Sequence, residues 1–229
     1  MYHRIVETER GSGIPVERGA IRLGGAYDRA VGVLRRFLGR ASVALYRFAG
    51  RASTKVFSVA VGGSFAHFGR RSVVQPPVRL NGERFIEIGD NVFIGRGSWL
   101  QVLGNDHDRP VITVGDGTSI VGHCVLSATH SVTLGRSVLF ARNVYVADHQ
   151  HAFGDLDAAV LEQGVTRVGP VEIAEGAWLG QNVVVGPGVR IGRGAVIGAN
   201  SVVLSDVPDH AVAVGAPARV VRTADDAHA

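Results

Sequence analysis

VEIAEGAWLGQNVVVGPGVRIGRGAVIGANSVV, residues 171–203, carries an aliphatic side chain at every sixth position: Ile173, Leu179, Val185, Ile191, Ile197 and Val203. The residue after each is often Gly or another small one. The same beat runs upstream through Ile88, Ile94 and Leu100, through Val114, Ile120 and Leu126, and through Leu134, Phe140 and Val146. A fixed short period is the mark of a repeat solenoid. Alternate residues of a strand share a face, so a six-residue beat fits strand geometry. One residue per repeat points into a narrow core. Its small successor relieves crowding near a corner. Turn formers such as Gly89-Asp90-Asn91 and Gly192-Arg193-Gly194 follow. A single repeat cannot bury its own apolar residue, so coils must stack on one another in parallel.

The beat breaks in three places. A polar insertion, Gly104–Pro110, separates Leu100 from Val114; two extra residues separate Leu126 from Leu134; and a long gap separates Val146 from Ile173. The repeats resume in phase after the gap, so the gap reads as a loop thrown out of an intact solenoid. Long ordered loops on a rigid scaffold often carry function. This one opens with Asp148, His149 and His151.

The fold expected is mainly β, a parallel β-helix of hexapeptide repeats over residues 85–222. Residues 1–84 form an N-terminal extension and 223–229 a tail. Gly is abundant at 31 of 229 residues and charged residues are few at 19%, which fits turn-rich extended structure better than a helical bundle. A single cysteine, Cys124, excludes an intrachain disulfide framework. The N-terminus has no secretory pattern and no stretch reaches ~18 apolar residues, so a cytoplasmic protein is expected. The net charge of +4 fits an anionic partner, a membrane surface or a phosphorylated cofactor. Nucleic acid is not expected as a partner.

Residues 1–25 read as a polar, Gly-rich arm. In 26–51, Tyr27, Ala30, Val31, Leu34, Phe37, Leu38, Ala41, Leu45 and Phe48 follow a spacing of three and four, one apolar face of a helix. Arg29, Arg35, Arg36, Arg40 and Arg47 lie largely off that face, while Gly32 and Gly39 weaken the helix. Such a helix either contacts the inner face of an anionic membrane peripherally or packs on the solenoid or a neighbouring subunit. Residues 52–84 read as transitional, with strands near 72–74 and 78–80 around Pro76-Pro77.

The repeat resembles the hexapeptide-repeat acyltransferases, a family of left-handed parallel β-helices. VYVADHQHAF, residues 144–153, is similar to the histidine segment of its sugar and polysaccharide O-acetyltransferases. Residues 171–203 resemble its coenzyme A-binding coils, and AVAVGAPARVVR, residues 211–222, resembles its closing Gly-x-Pro-Ala turn. The resemblance implies a homotrimer with active sites between subunits and acetyl-CoA or another acyl-CoA as donor. No metal is implied. It carries cofactor contacts onto Gly180, Gln181, Gly198, Ala199 and Ser205, and phosphate contacts onto Arg219 and Arg222, whose guanidinium forks suit phosphate. Val121 and Thr129 stand where the galactoside branch has acceptor-binding Asn and Asp, which favours a polysaccharide or glycolipid acceptor over a simple galactoside.

A sugar hydroxyl needs a base to attack a thioester, and histidine suits neutral pH. The resemblance points to His149. Adjacent strand residues face opposite sides, so Asp148 is expected to hold the loop rather than pair with His149. His151 and His130 are expected to bind acceptor or orient the loop. Two other readings use the same solenoid. One is a γ-carbonic-anhydrase-like metal trimer, whose paired histidines lie five apart, unlike His149 and His151. The other is a non-catalytic trimeric scaffold.

Overall fold

The computed structural model describes residues 24–223. The arm, up to residue 23, and the tail from residue 224 lie outside the described residues. The chain divides into two compact units, residues 1–48 and 49–229, with helix α1 (Gly24–Gly62) running through both.

Three parallel sheets form the walls of a solenoid. Sheet A contains His67–Phe68, Ile86–Ile88, Ile112–Val114, Val132–Leu134, Val171–Ile173 and Arg190–Ile191. Sheet B contains Val73–Val74, Phe93–Ile94, Ser119–Ile120, Leu139–Phe140, Trp178–Leu179, Val196–Ile197 and Val212–Val214, closed by the antiparallel strand Arg219–Arg222. Sheet C contains Arg79–Asn81, Trp99–Val102, Val125–Ala128, Tyr145–Ala147, Val184–Val185 and Val202–Val203. The chain visits A, B and C in turn, one short strand each. The register is strict: Ile120, Phe140, Leu179 and Ile197 lie one above the next in sheet B.

Every aliphatic residue of the beat is buried, from Ile88 to Val203. A second inward position, two residues earlier, also faces the core. Valine or isoleucine fills it in most coils, as at Ile86, Ile112 and Val138, and smaller residues in others, among them Ser98, Thr118, Cys124, Ala177 and Ser201. The hydroxyls there are bonded: Thr118 Oγ1 donates to the Gly135 carbonyl at 2.8 Å, and Ser201 Oγ accepts from the Gly215 N–H at 3.1 Å. The corner after each aliphatic residue is crowded by the next coil. A Cβ on Gly180 would lie 2.7 Å from the Ala199 nitrogen.

The structure corrects the N-terminal boundary twice. The helix expected over 26–51 continues to Gly62. The solenoid begins not at residue 85 but one coil earlier, where 67–68, 73–74 and 79–81 pair in parallel with the coil below. The last helical turns sit on this coil. Phe57 and Val61 pack against the core, and Ser58 Oγ accepts from the Val74 N–H at 2.9 Å.

Candidate active site

All three breaks in the beat emerge from one edge of the solenoid, where sheet C passes to sheet A. The 103–111 loop follows Trp99–Val102, residues 129–131 follow Val125–Ala128, and the long loop follows Tyr145–Ala147. The other two edges keep short, regular turns in successive coils.

Asp148 and His149 begin the long loop. Asp148 is fully buried and His149 is 8% exposed. His149 Nδ1 lies 2.8 Å from Asp148 Oδ1. Asp148 also accepts from the backbone N–H groups of Thr129, His130 and Ser131 at 2.7–3.1 Å, and from Thr129 Oγ1 at 3.2 Å. Burial alone would push this carboxyl up. The His149 ring and the three N–H groups outweigh it and hold the carboxyl below its ordinary range. Asp148 is therefore an ionised acceptor, so the bonded His149 Nδ1 carries the proton and Nε2 is the free base. Nε2 has no hydrogen-bond partner among the described residues, yet no buried side-chain nitrogen is left unpartnered. It therefore reaches solvent. The expectation that Asp148 does not pair with His149 is corrected: the chain leaves strand geometry at Ala147, and the carboxylate turns to serve both the ring and the corner of the coil above. Its burial also excludes direct acceptor contact.

The loop is built rather than slack. Gln150–His151 pairs antiparallel with Val165–Thr166, and the Gly169 N–H closes the base on the Asp148 carbonyl at 2.8 Å. The Gln163 amide knits the tip, bonding Asp155 twice, at 2.8 and 3.0 Å, and the Ala158 carbonyl at 2.9 Å. A groove of about 420 Å³ runs below the loop along the same edge, lined by Gln150, Arg167, Val168, Gly169, Gly186, Pro187, Gly188 and Leu204. Leu204, next to Ser205 in sequence, lines it. Arg167 lines both this groove and a hollow within the loop, and it was not singled out from sequence.

Residues 170–205 match the family described as bacterial transferase hexapeptide (six repeats). A putative lipopolysaccharide biosynthesis O-acetyl transferase of Escherichia coli (strain K12) is 32% identical over 156 residues, covering 66% of this chain and 78% of that protein. The chain belongs to the hexapeptide-repeat acyltransferases. A galactoside O-acetyltransferase of Lactococcus lactis is 33% identical over 161 residues, 69% of this chain and 74% of that one. The crystal structure of a hexapeptide-repeat acetyltransferase from Vibrio cholerae superposes with a TM-score of 0.55 at 26% identity, covering 85% of this chain and 92% of that one. The solenoid is the left-handed parallel β-helix of this family.

In this hexapeptide-repeat acyltransferase the residues expected to hold the cofactor fall on two edges. Gly180, Gln181, Gly198 and Ala199 stack between sheets B and C, where the Asn200 N–H donates to the Gln181 carbonyl at 2.8 Å. Ser205 shares the C-to-A edge with His149. Within one chain, sheet C separates the two sets. Arg219 and Arg222 are exposed on the last strand of sheet B. His151 and His130 are exposed, and only the His130 backbone is tied to Asp148. Among the described residues no group of three or more His, Cys, Asp or Glu side chains could hold a metal ion.

Proposed function

We propose that this acyltransferase moves an acyl group, most simply acetyl, from acyl-CoA to a sugar hydroxyl of a polysaccharide, a glycolipid or a precursor of either. The observation that carries the proposal is His149 bonded through Nδ1 to a buried, ionised Asp148, with Nε2 left without a partner among the described residues. Nε2 removes the hydroxyl proton as the oxygen attacks the thioester carbonyl. The Asp148 charge stabilises the imidazolium that forms. Collapse of the tetrahedral intermediate breaks the carbon–sulfur bond, and the departing thiolate recovers the proton. No covalent enzyme intermediate is needed, because the thioester is already activated.

The proposal includes a homotrimer. The outward face of sheet A is polar, with Thr113, Thr133, and an Arg190–Glu172 ion pair at 3.4 Å. Sheets B and C turn Leu139, Trp178 and Tyr145 outward, each exposed. A threefold assembly covers two faces of each solenoid, and these are the apolar two. Active sites between subunits, as the family resemblance implies, would bring Gln181 and Ala199 of one subunit to His149 of the next. Arg219 and Arg222 would meet the cofactor phosphates, and His151 and His130 the acceptor. Peripheral membrane contact through residues 26–51 belongs to the same proposal.

Thiol release from acetyl-CoA, followed across a panel of sugars and glycolipids, tests the activity. A sugar-dependent rate supports it; none with any acceptor, at saturating acetyl-CoA, contradicts it.

A further inference from the structure

Helix α1 carries an apolar stripe that stays exposed among the described residues. In its last turns Phe57, Ser58 and Val61 face the first coil of the solenoid. Val56 and Val59 lie on the other side of the helix and are 70% and 77% exposed. Towards the N-terminus, alternating steps of three and four from Val59 pass through Lys55, Ala52, Phe48, Leu45, Ala41, Leu38, Leu34 and Val31. Leu34, Leu38, Leu45 and Phe48 are all exposed, as is Phe37 beside them. The stripe is thus longer than the 26–51 segment read from sequence.

The charges identify the surface that covers it. The helix contains Arg29, Arg35, Arg36, Arg40, Arg47, Arg51 and Lys55 against a single acid, Asp28. Among the described residues no carboxylate pairs with Arg35, Arg40 or Arg51, which border the stripe. A second copy of the helix would bring like charges together along both borders. It would also bury Lys55, which interrupts the stripe. On a lipid surface the same Lys55 reaches up to the headgroups while its stem stays apolar. No helix among the described residues is long and apolar enough to cross a membrane, so on a bilayer this one would lie along the surface rather than span it.

We infer that α1, from Val31 to Val59, lies in the headgroup region of an anionic bilayer and that the acceptor is a lipid-anchored glycan presented there. The second half rests on the sugar-acyltransferase reading; the first does not.

The full-length protein is sedimented with vesicles of pure phosphatidylcholine and with equimolar phosphatidylglycerol and phosphatidylcholine. Binding to the anionic vesicles alone, weakened by salt, is expected. Replacing Arg35, Arg40 and Arg51 by Gln lowers the affinity by about 100-fold. Leu38→Glu with Leu45→Glu abolishes binding while the solenoid melts as in the wild type. No wild-type binding to anionic vesicles overturns the inference. So does a Leu38→Glu/Leu45→Glu protein that loses its oligomeric state but still binds, since the stripe is then a seam between copies. Turnover of a water-soluble sugar, measured on the same proteins, separates the two readings. Vesicle binding without any turnover sinks the acyltransferase and leaves the membrane surface standing. A bound enzyme that acylates a soluble sugar as fast as a vesicle-embedded glycolipid sinks the acceptor assignment alone.

Discussion

Asp148 accepts hydrogen bonds both from the His149 ring at 2.8 Å and from three consecutive backbone N–H groups, Thr129 to Ser131, of the coil above. One carboxylate therefore sets the tautomer of the candidate base and holds a corner of the solenoid. Asp148→Asn removes the charge and keeps the shape. The stability cost expected is about 1.5–3 kcal/mol, the worth of hydrogen bonds to a charged group. The turnover cost expected is on the order of 10²–10⁴-fold, because an amide no longer stabilises the imidazolium. Urea unfolding and steady-state rates on the same protein check both. A stable but inactive variant would place the whole effect on the ring.

The pH dependence follows from the direction of the Asp148 shift. Its folded-state carboxyl titrates below the ordinary value of 3.8. The charged form is favoured by folding, so the stabilisation is fully present above the ordinary value. It is lost as the pH falls through the lowered folded value. The stability gap between wild type and Asp148→Asn should stay constant from neutral pH down to the ordinary carboxylate range and close only in stronger acid. Denaturation midpoints across that range measure it; a gap that closes near neutral pH would assign the effect to another group.

Phe140 is the largest fully buried side chain of the core, stacked between Ile120 and Leu179. Phe140→Ala leaves a hole in a narrow core whose neighbours are fixed by sheet register. A loss of about 3–5 kcal/mol is expected by chemical denaturation. A cost under about 1 kcal/mol would mean the coils can close up, which the strict stacking argues against.

Arg219 and Arg222 lie exposed on the closing strand, where the proposal puts the nucleotide end of the donor. Replacing both by Ala should raise the KM for acetyl-CoA by about tenfold, the value of an exposed guanidinium–phosphate contact. The KM for acetyl-pantetheine, which lacks those phosphates, should not change. Equal effects on both donors would remove the arginines from the cofactor site.

The repeat was legible because one face position and one corner position recur every sixth residue. It was legible even where it was not read: Phe68, Val74 and Leu80 continue the beat one coil upstream. Gln75, Asn81 and Pro76-Pro77 masked them by replacing the usual small successors and turn residues. The position of His149 was legible as a break in phase. Its partnership with Asp148 was not, because it depends on the chain leaving strand geometry at Ala147. The edge shared by the three breaks, and the split of Gln181 and Ala199 from His149, are properties of the three-sided winding. They cannot be seen in a one-dimensional period. Arg167 and Leu204 belong to the groove only because the loop folds back over the coils that follow it.

The most direct test of the account is single-turnover acyl transfer by His149→Ala, at saturating acetyl-CoA with the best acceptor, beside a measurement of its CoA affinity. His149 is the base in this account, so transfer should fall by about 10²–10⁴-fold while CoA binds as in the wild type. Transfer at near wild-type rate would contradict it.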